Sequence, residues 1–169
     1  MYKIASLEIV DISLIKHCAR KMKPMIISTG VAEINDIETA IATCREVGNN
    51  DITLLKCTAD YPALISDANL KTIPEMKQRF NVKVGVSDHT LGSIVPVVAV
   101  SIGATVVEKH FILERNLGGP DSAFSMESEE FKKMVKEIRD VESSLGQINY
   151  IVSEKDKLRR RSLFVCQDI

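Results

Sequence analysis

Short, nearly uncharged runs of β-branched residues recur along this chain, and stretches with helical apolar spacing lie between them. Tyr2 to Ser6, Met25 to Gly30, Ile52 to Cys57, Val82 to Ser87 and Ala104 to Glu108 read as strands. Runs of Val, Ile and Leu with few charges are the pattern of strands buried on both faces, as in parallel sheets. Asp11 as N-cap opens a first helix whose stripe of Ile12, Ile15, Ala19 and Met22 runs to Lys23, where Pro24 ends it. Asn35 with Glu38 three residues on predicts a capping box for the second helix, and Gly48 its end. A loop from Thr58 to Asp67 precedes a short helix with Pro74 in its first turn and Met76 and Phe80 facing inward.

The longest uncharged run, Thr90 to Val107, predicts a helix covered by protein followed by the fifth strand. It contains Gly92, Pro96 and Gly103 and is too short to span a bilayer. After a polar Gly-Pro loop from Leu113 to Ser125, a last helix at about Met126 to Leu145 aligns Phe131, Met134, Val135, Ile138, Val141 and Leu145. From Gly146 the pattern dissolves into a polar tail, where only Ser162 to Cys166 hints at a further strand.

Five βα units in strict alternation imply a parallel sheet with crossover helices. They could form an open doubly wound sheet, or part of a closed barrel, which needs eight strands and about 250 residues. No Gly-rich phosphate fingerprint follows the first strand, which weakens a nucleotide-binding version. The strand ends favour the barrel. Each finishes in polar groups: Ser6 and Glu8, Ser28 and Thr29, Lys56 and Thr58, Ser87 and His89, Glu108 and His110. In parallel α/β folds the carboxyl ends of strands are where ligands bind. Lys3 departs from the pattern, since its parity is opposite to that of Ser6 unless a bulge intervenes.

Composition changes this picture little. The 169 residues carry a net charge of −1, with 45% hydrophobic and 27% charged positions. That balance supports neither nucleic-acid nor membrane binding. Arg159, Arg160 and Arg161 form the only basic cluster, in keeping with a solvated segment or an interdomain contact. Cys18, Cys44, Cys57 and Cys166 have no metal-like spacing and read as reduced thiols of a cytoplasmic protein. Lys3, Glu8 and Asp11 interrupt any apolar core of a signal peptide.

Two of the three histidines, His89 and His110, stand at equivalent ends of consecutive strands, while His17 falls in a helix and needs no functional reading. The pair could ligate a divalent metal, or simply line a pocket as hydrogen-bonded imidazoles. Ser6, Ser28 and Ser87 with Lys3 could bind a phosphate, although any one serine could equally serve a turn or cap. Glu8 and Asp121 could accept hydrogen bonds from a polyhydroxylated ligand or be surface carboxylates. Tyr61 before Pro62 is either a loop anchor or a binding residue. Together these residues describe a site for an anionic, oxygen-rich small molecule, with or without a metal.

Six ordered motifs carry a family resemblance. They are Tyr-Lys-Ile-Ala-Ser-x-Glu at 2–8, Ile-Ser-Thr-Gly at 27–30, Leu-Lys-Cys-Thr-x-x-Tyr-Pro at 55–62, Gly-x-Ser-Asp-His-Thr at 85–90, Glu-Lys-His-Phe at 108–111 and Gly-Pro-Asp-Ser-x-Phe-Ser at 119–125. The chain resembles the sialic acid synthase family, particularly its pseudaminic acid synthase branch. The resemblance implies condensation of phosphoenolpyruvate with an N-acetylated sugar aldehyde to a nine-carbon 2-keto acid. It implies a TIM barrel that uses a divalent cation, Mn2+ or Mg2+, with His89 and His110 as metal ligands and catalytic residues. Lys3, Ser6, Ser28 and Ser87 would bind phosphoenolpyruvate. Glu8, Tyr61 and Asp121 would face the sugar, with Glu8 also in the catalytic set.

Ala59 stands where sialic acid members have asparagine, and Lys56 where they have histidine; both changes fit the pseudaminic branch. On this resemblance residues 1–146 correspond to about strands 4–8 of the barrel, without the three N-terminal βα units. Residues 147–169 would be a linker and the start of an antifreeze-like domain, which in the family lends an arginine to the partner subunit's site. The expectation is a chain inactive alone, working as a homo-oligomer or beside a complementing N-terminal half. The alternatives are a non-catalytic fragment acting only in association, and an aldolase using Lys56 or Lys109 as a Schiff-base nucleophile.

Overall fold

A computed structural model describes residues 1–160 of the chain, so the strand suggested at Ser162 to Cys166 lies outside the described residues. Strands β1 (Tyr2–Ile4), β2 (Met25–Ser28), β3 (Ile52–Cys57), β4 (Lys83–Asp88) and β5 (Val106–Lys109) form one parallel sheet in sequence order. Helices α1 (Ile12–Ala19), α2 (Ile34–Glu46), α3 (Thr72–Phe80) and α4 (Ile94–Ser101) connect successive strands, and α5 (Ser128–Leu145) follows β5. The result is the half-barrel expected from the alternation.

Side chains alternate between the faces of each strand. Ile4, Ile27, Leu54 and Val86 join the core, where they meet residues such as Ile15 and Ala40 of the helices. Residues of the opposite parity, Lys3, Ser28, Cys57 and Ser87, line the other, concave side. Helix α5 covers α4 through Val100, Met134 and Ile138. Cover of the uncharged helix α4 is partial, since Ile94 and Val98 remain exposed.

Several boundaries differ from the sequence expectation, each for a local reason. Helix α1 stops at Ala19 instead of Lys23 because the buried Asn49 amide donates to the carbonyls of Ala19 (3.1 Å) and Lys23 (3.0 Å), and Met22 turns to a φ of 52°. Helix α2 begins at Ile34, so Asn35 and Glu38 lie inside it. The Asp36 carboxylate accepts the Glu33 amide at 2.9 Å instead. Gly48, with φ of 86°, ends that helix as read, since a left-handed turn is costly for any residue with a Cβ. Strand β1 ends at Ile4 and a single 3-10 turn, Ser6–Glu8, follows, so the strand parity that set Lys3 against Ser6 does not extend that far. Among the described residues the tail holds a short helix that its polarity concealed, α6 (Glu154–Arg159), capped by the Ser153 side chain.

Strands β4 and β5 run in register from Gly85 opposite Val106 to Asp88 opposite Lys109. At Gly85 the strands come too close for a side chain: a Cβ would lie 2.3 Å from the Val106 carbonyl oxygen and 2.7 Å from Leu55 Cδ2. Gly85→Ala should therefore destabilise the chain by about 1–3 kcal/mol, the usual penalty for overpacking. Urea unfolding checks this, and an unchanged midpoint would mean the strands can part freely.

Candidate active site

All five strand ends contribute to one concave pocket of about 370 Å3, lined among others by Lys3, Ser6, Ser28, Tyr61, His89 and His110. Lys3 enters from β1, its ammonium 3.3 Å from Glu108 Oε1. The Ser87 hydroxyl donates to the same oxygen at 2.7 Å, so Glu108 links the first strand of the sheet to the fourth. Ser6 accepts the Gly30 amide at 3.0 Å, tying the turn after β1 to the exit of β2. Ser28 is different. It is buried and lines the pocket, yet its hydroxyl has no hydrogen-bond partner. A buried hydroxyl left without a partner carries an uncompensated desolvation cost.

The two histidines converge as the strand ends predict, with ring centroids 5.2 Å apart and planes crossing at 64°. Nδ1 of His89 lies 2.7 Å from the Thr58 carbonyl oxygen. A carbonyl only accepts, so Nδ1 carries the proton and Nε2 keeps its lone pair. Burial disfavours the charged ring of His89. The Cys57 thiol and the Thr58 carbonyl together outweigh that and hold its pKa above the ordinary histidine value. Nδ1 of His110 faces Asp121 Oδ2 at 3.6 Å. Tyr61 lies against His89 at 4.2 Å between centroids, the planes tilted by 39°, and Phe124 meets the His110 ring edge-on at 5.1 Å.

Loop 112–125 is closed at its base by Ile112 N–H to Met126 O and Met126 N–H to His110 O, both 2.9 Å, and this fixes where Asp121 and Phe124 hang. Among the described residues no group of three or more His, Cys, Asp and Glu side chains could hold a metal. The donor set still fits a divalent cation. Two imidazoles this close, at least one with a free Nε2, can share an ion whose other positions fall to water and substrate.

Not every expected residue arrives. Neither Glu8 nor Asp121 is in the pocket lining; Asp121 stands beside His110, while the Glu8 carboxylate accepts the Ala5 amide at 2.8 Å to hold the 3-10 turn. Polar residues at strand ends do not all point inward either. Lys56 and Thr29 face a separate cavity on the helix side, with Ile34 and Met76. Burial lowers the Lys56 pKa there.

Cys57 occupies the inward position on β3 and was not singled out in the sequence. Its signal is parity, two residues on from Leu55 on the concave side. Burial pushes its thiol up, but hydrogen bonding with His89, Ser6 and Ser87, with the charge of His89, brings it below the ordinary cysteine value. Glu108, read from the sequence only as a polar strand end, lines the pocket, and Phe124 packs on His110 outside that lining. A larger cavity of about 470 Å3 lies on the far side of Phe124, but its Arg115 is paired with Glu127 and Glu130.

A parallel half-barrel with polar groups gathered at its strand ends is part of a TIM-barrel frame. The NeuB family model matches residues 1–150. The chain belongs to the NeuB family of sialic acid synthases, in agreement with its motifs. It is 50% identical over 173 residues to the pseudaminic acid synthase of Helicobacter pylori, covering 100% of this chain and 51% of that protein. Identity to the pseudaminic acid synthase of Campylobacter jejuni serotype O:2 is 43% over 171 residues, covering 99% and 50%. A crystal structure of N-acetylneuraminic acid (sialic acid) synthetase from Leptospira borgpetersenii in complex with citrate has a TM-score of 0.85 at 32% identity. It covers 95% of this chain and 56% of that chain. The chain thus spans about half the length of the curated relatives it matches. No helix among the described residues is long and apolar enough to cross a membrane.

The Schiff-base alternative has neither of its lysines in the strand-end pocket. Lys109 is buried in an ion pair with Asp88 at 2.6 Å, and Lys56 donates to the Cys57 carbonyl at 2.8 Å on the helix side. Borohydride treatment with an aldehyde or keto acid is expected to leave both unmodified by mass spectrometry. An adduct on either would restore that mechanism.

Proposed function

We propose that this chain supplies half of a synthase site that condenses phosphoenolpyruvate with an N-acetylated sugar aldehyde. With one water consumed, the products would be a nine-carbon 2-keto sugar acid and inorganic phosphate, in nonulosonic acid biosynthesis. The observation that carries the proposal is the meeting of two histidines, a lysine and an unpartnered buried serine in one pocket. Lys3, Ser6, Ser28 and Ser87 hold the phosphate and carboxylate of phosphoenolpyruvate by charge and hydrogen bonding. Tyr61 and Asp121 stand on the sugar side. His89 and His110 hold the divalent cation, Mn2+ or Mg2+. When bound, that cation supplies Lewis-acid polarisation of the aldehyde and orients water.

Residues 1–146 act as the barrel part, and residues 147–169 lead towards an antifreeze-like domain. Strands β1 and β5 each pair on one side only among the described residues. A full barrel has eight strands, so these five supply part of its mouth.

Thermal unfolding with Mn2+ and phosphoenolpyruvate tests this. Ligand at a hundred times its Kd adds about 2.7 kcal/mol, roughly 5–10 °C for a chain of this size. His89→Ala and His110→Ala should lose the Mn2+-dependent part. Ser28→Ala should melt at or above the wild-type temperature without ligand, because the deleted hydroxyl had no partner, and gain less from phosphoenolpyruvate. A flat response to both ligands would favour the reading in which the chain acts only in association.

A further inference from the structure

The sequence places Asp88 directly before His89 and Lys109 directly before His110. The two residues sit opposite each other in the β4–β5 register, and both side chains are almost fully buried, at 1% and 2% exposure. Their charged groups meet at 2.6 Å. The same ammonium donates to the Thr90 carbonyl at 2.6 Å, while the other Asp88 oxygen accepts the Thr90 amide at 2.9 Å. The backbone on both sides of His89 is thereby held by one lysine, and that lysine is covalently next to His110. By strand alternation the pair lies on the face away from the pocket, behind the Ser87–Glu108 hydrogen bond of 2.7 Å on the pocket face.

Buried charges are expensive, and a buried ion pair is no better for stability than an apolar pair of the same shape. What a bonded pair does supply is a fixed distance and direction between the two backbones it joins. We infer that Asp88 and Lys109 are positioning residues: they lock the ends of β4 and β5 so that His89 and His110 face each other across one ion. This rests on the proposed metal role of the two histidines. The pair touches neither substrate nor cation, and acts through the backbone at His89, Thr90 and His110.

The experiment compares the wild-type chain, the neutral pair Asp88→Asn/Lys109→Met and the charge-keeping Lys109→Arg. Two quantities are read: Co2+ affinity and d–d spectrum, and the 15N ring signals of His89 and His110 without metal. Thermal unfolding establishes that each variant is folded. In the neutral pair, Co2+ binding should weaken roughly 10–100-fold, the range seen when outer groups that orient a ligand are removed. Its d–d bands should shift, and the His89 ring should lose its single Nδ1–H tautomer. A folded neutral pair with wild-type Co2+ affinity and unchanged ring signals overturns the inference. Should the neutral pair fail to fold, Lys109→Arg decides by the same two readings, with a smaller loss of affinity upholding the inference and none rejecting it. Failure of the wild-type chain to take Co2+ would sink the metal reading instead. The ring signals then decide the positioning role alone, upheld if they change and rejected if they do not.

Discussion

The register of β4 against β5 is the constraint from which the rest of the site follows. Glycine at 85 lets the two strands approach, and from there each step along the pair alternates between core and pocket. Ser87 meets Glu108 on the concave side, Asp88 meets Lys109 on the other, and the next residues out are the two histidines. A slip of one residue would send every one of these groups to the wrong face. The apolar half of the alternation, Val84 and Val86 against the helices, is what makes such a slip costly.

Around that register the pocket is assembled from backbone geometry as much as from side chains. The Thr58 carbonyl sets the tautomer of His89, and the Met126 amide pins the His110 carbonyl while closing the loop that carries Asp121 and Phe124. Tyr61, His89, His110 and Phe124 form a continuous run of rings, of which the first three line the pocket. The lining also carries the hydroxyls of Ser6, Ser28 and Ser87, the Cys57 thiol, Lys3 and Glu108. Of these the Ser28 hydroxyl is buried without a hydrogen-bond partner.

Much of this was readable from the residues. Buried strands announce themselves through uncharged Val and Ile runs, and the histidines at the ends of β4 and β5 keep the parity of those runs. What was not readable depended on where a strand stops. Ser6 reaches the pocket beside Lys3 only because β1 ends at Ile4 and a tight turn re-aims the chain. Lys56 looked inward because it is polar, yet parity turns Cys57 in and Lys56 out. Glu8 fits a family motif, but its carboxylate is held by its own turn. Lys109 has the chemistry of a nucleophile, and only its contact with Asp88 reveals it as a strut. Polarity at a strand end thus indicates a site, while the face of each residue needs the strand boundary as well.

The central claim is that His89 and His110 bind one cation between them. Anomalous diffraction from crystals of this chain grown with Mn2+ tests it most directly. A single strong peak is expected within bonding distance of a ring nitrogen of each histidine. A peak elsewhere, or none between those rings at saturating Mn2+, would contradict it.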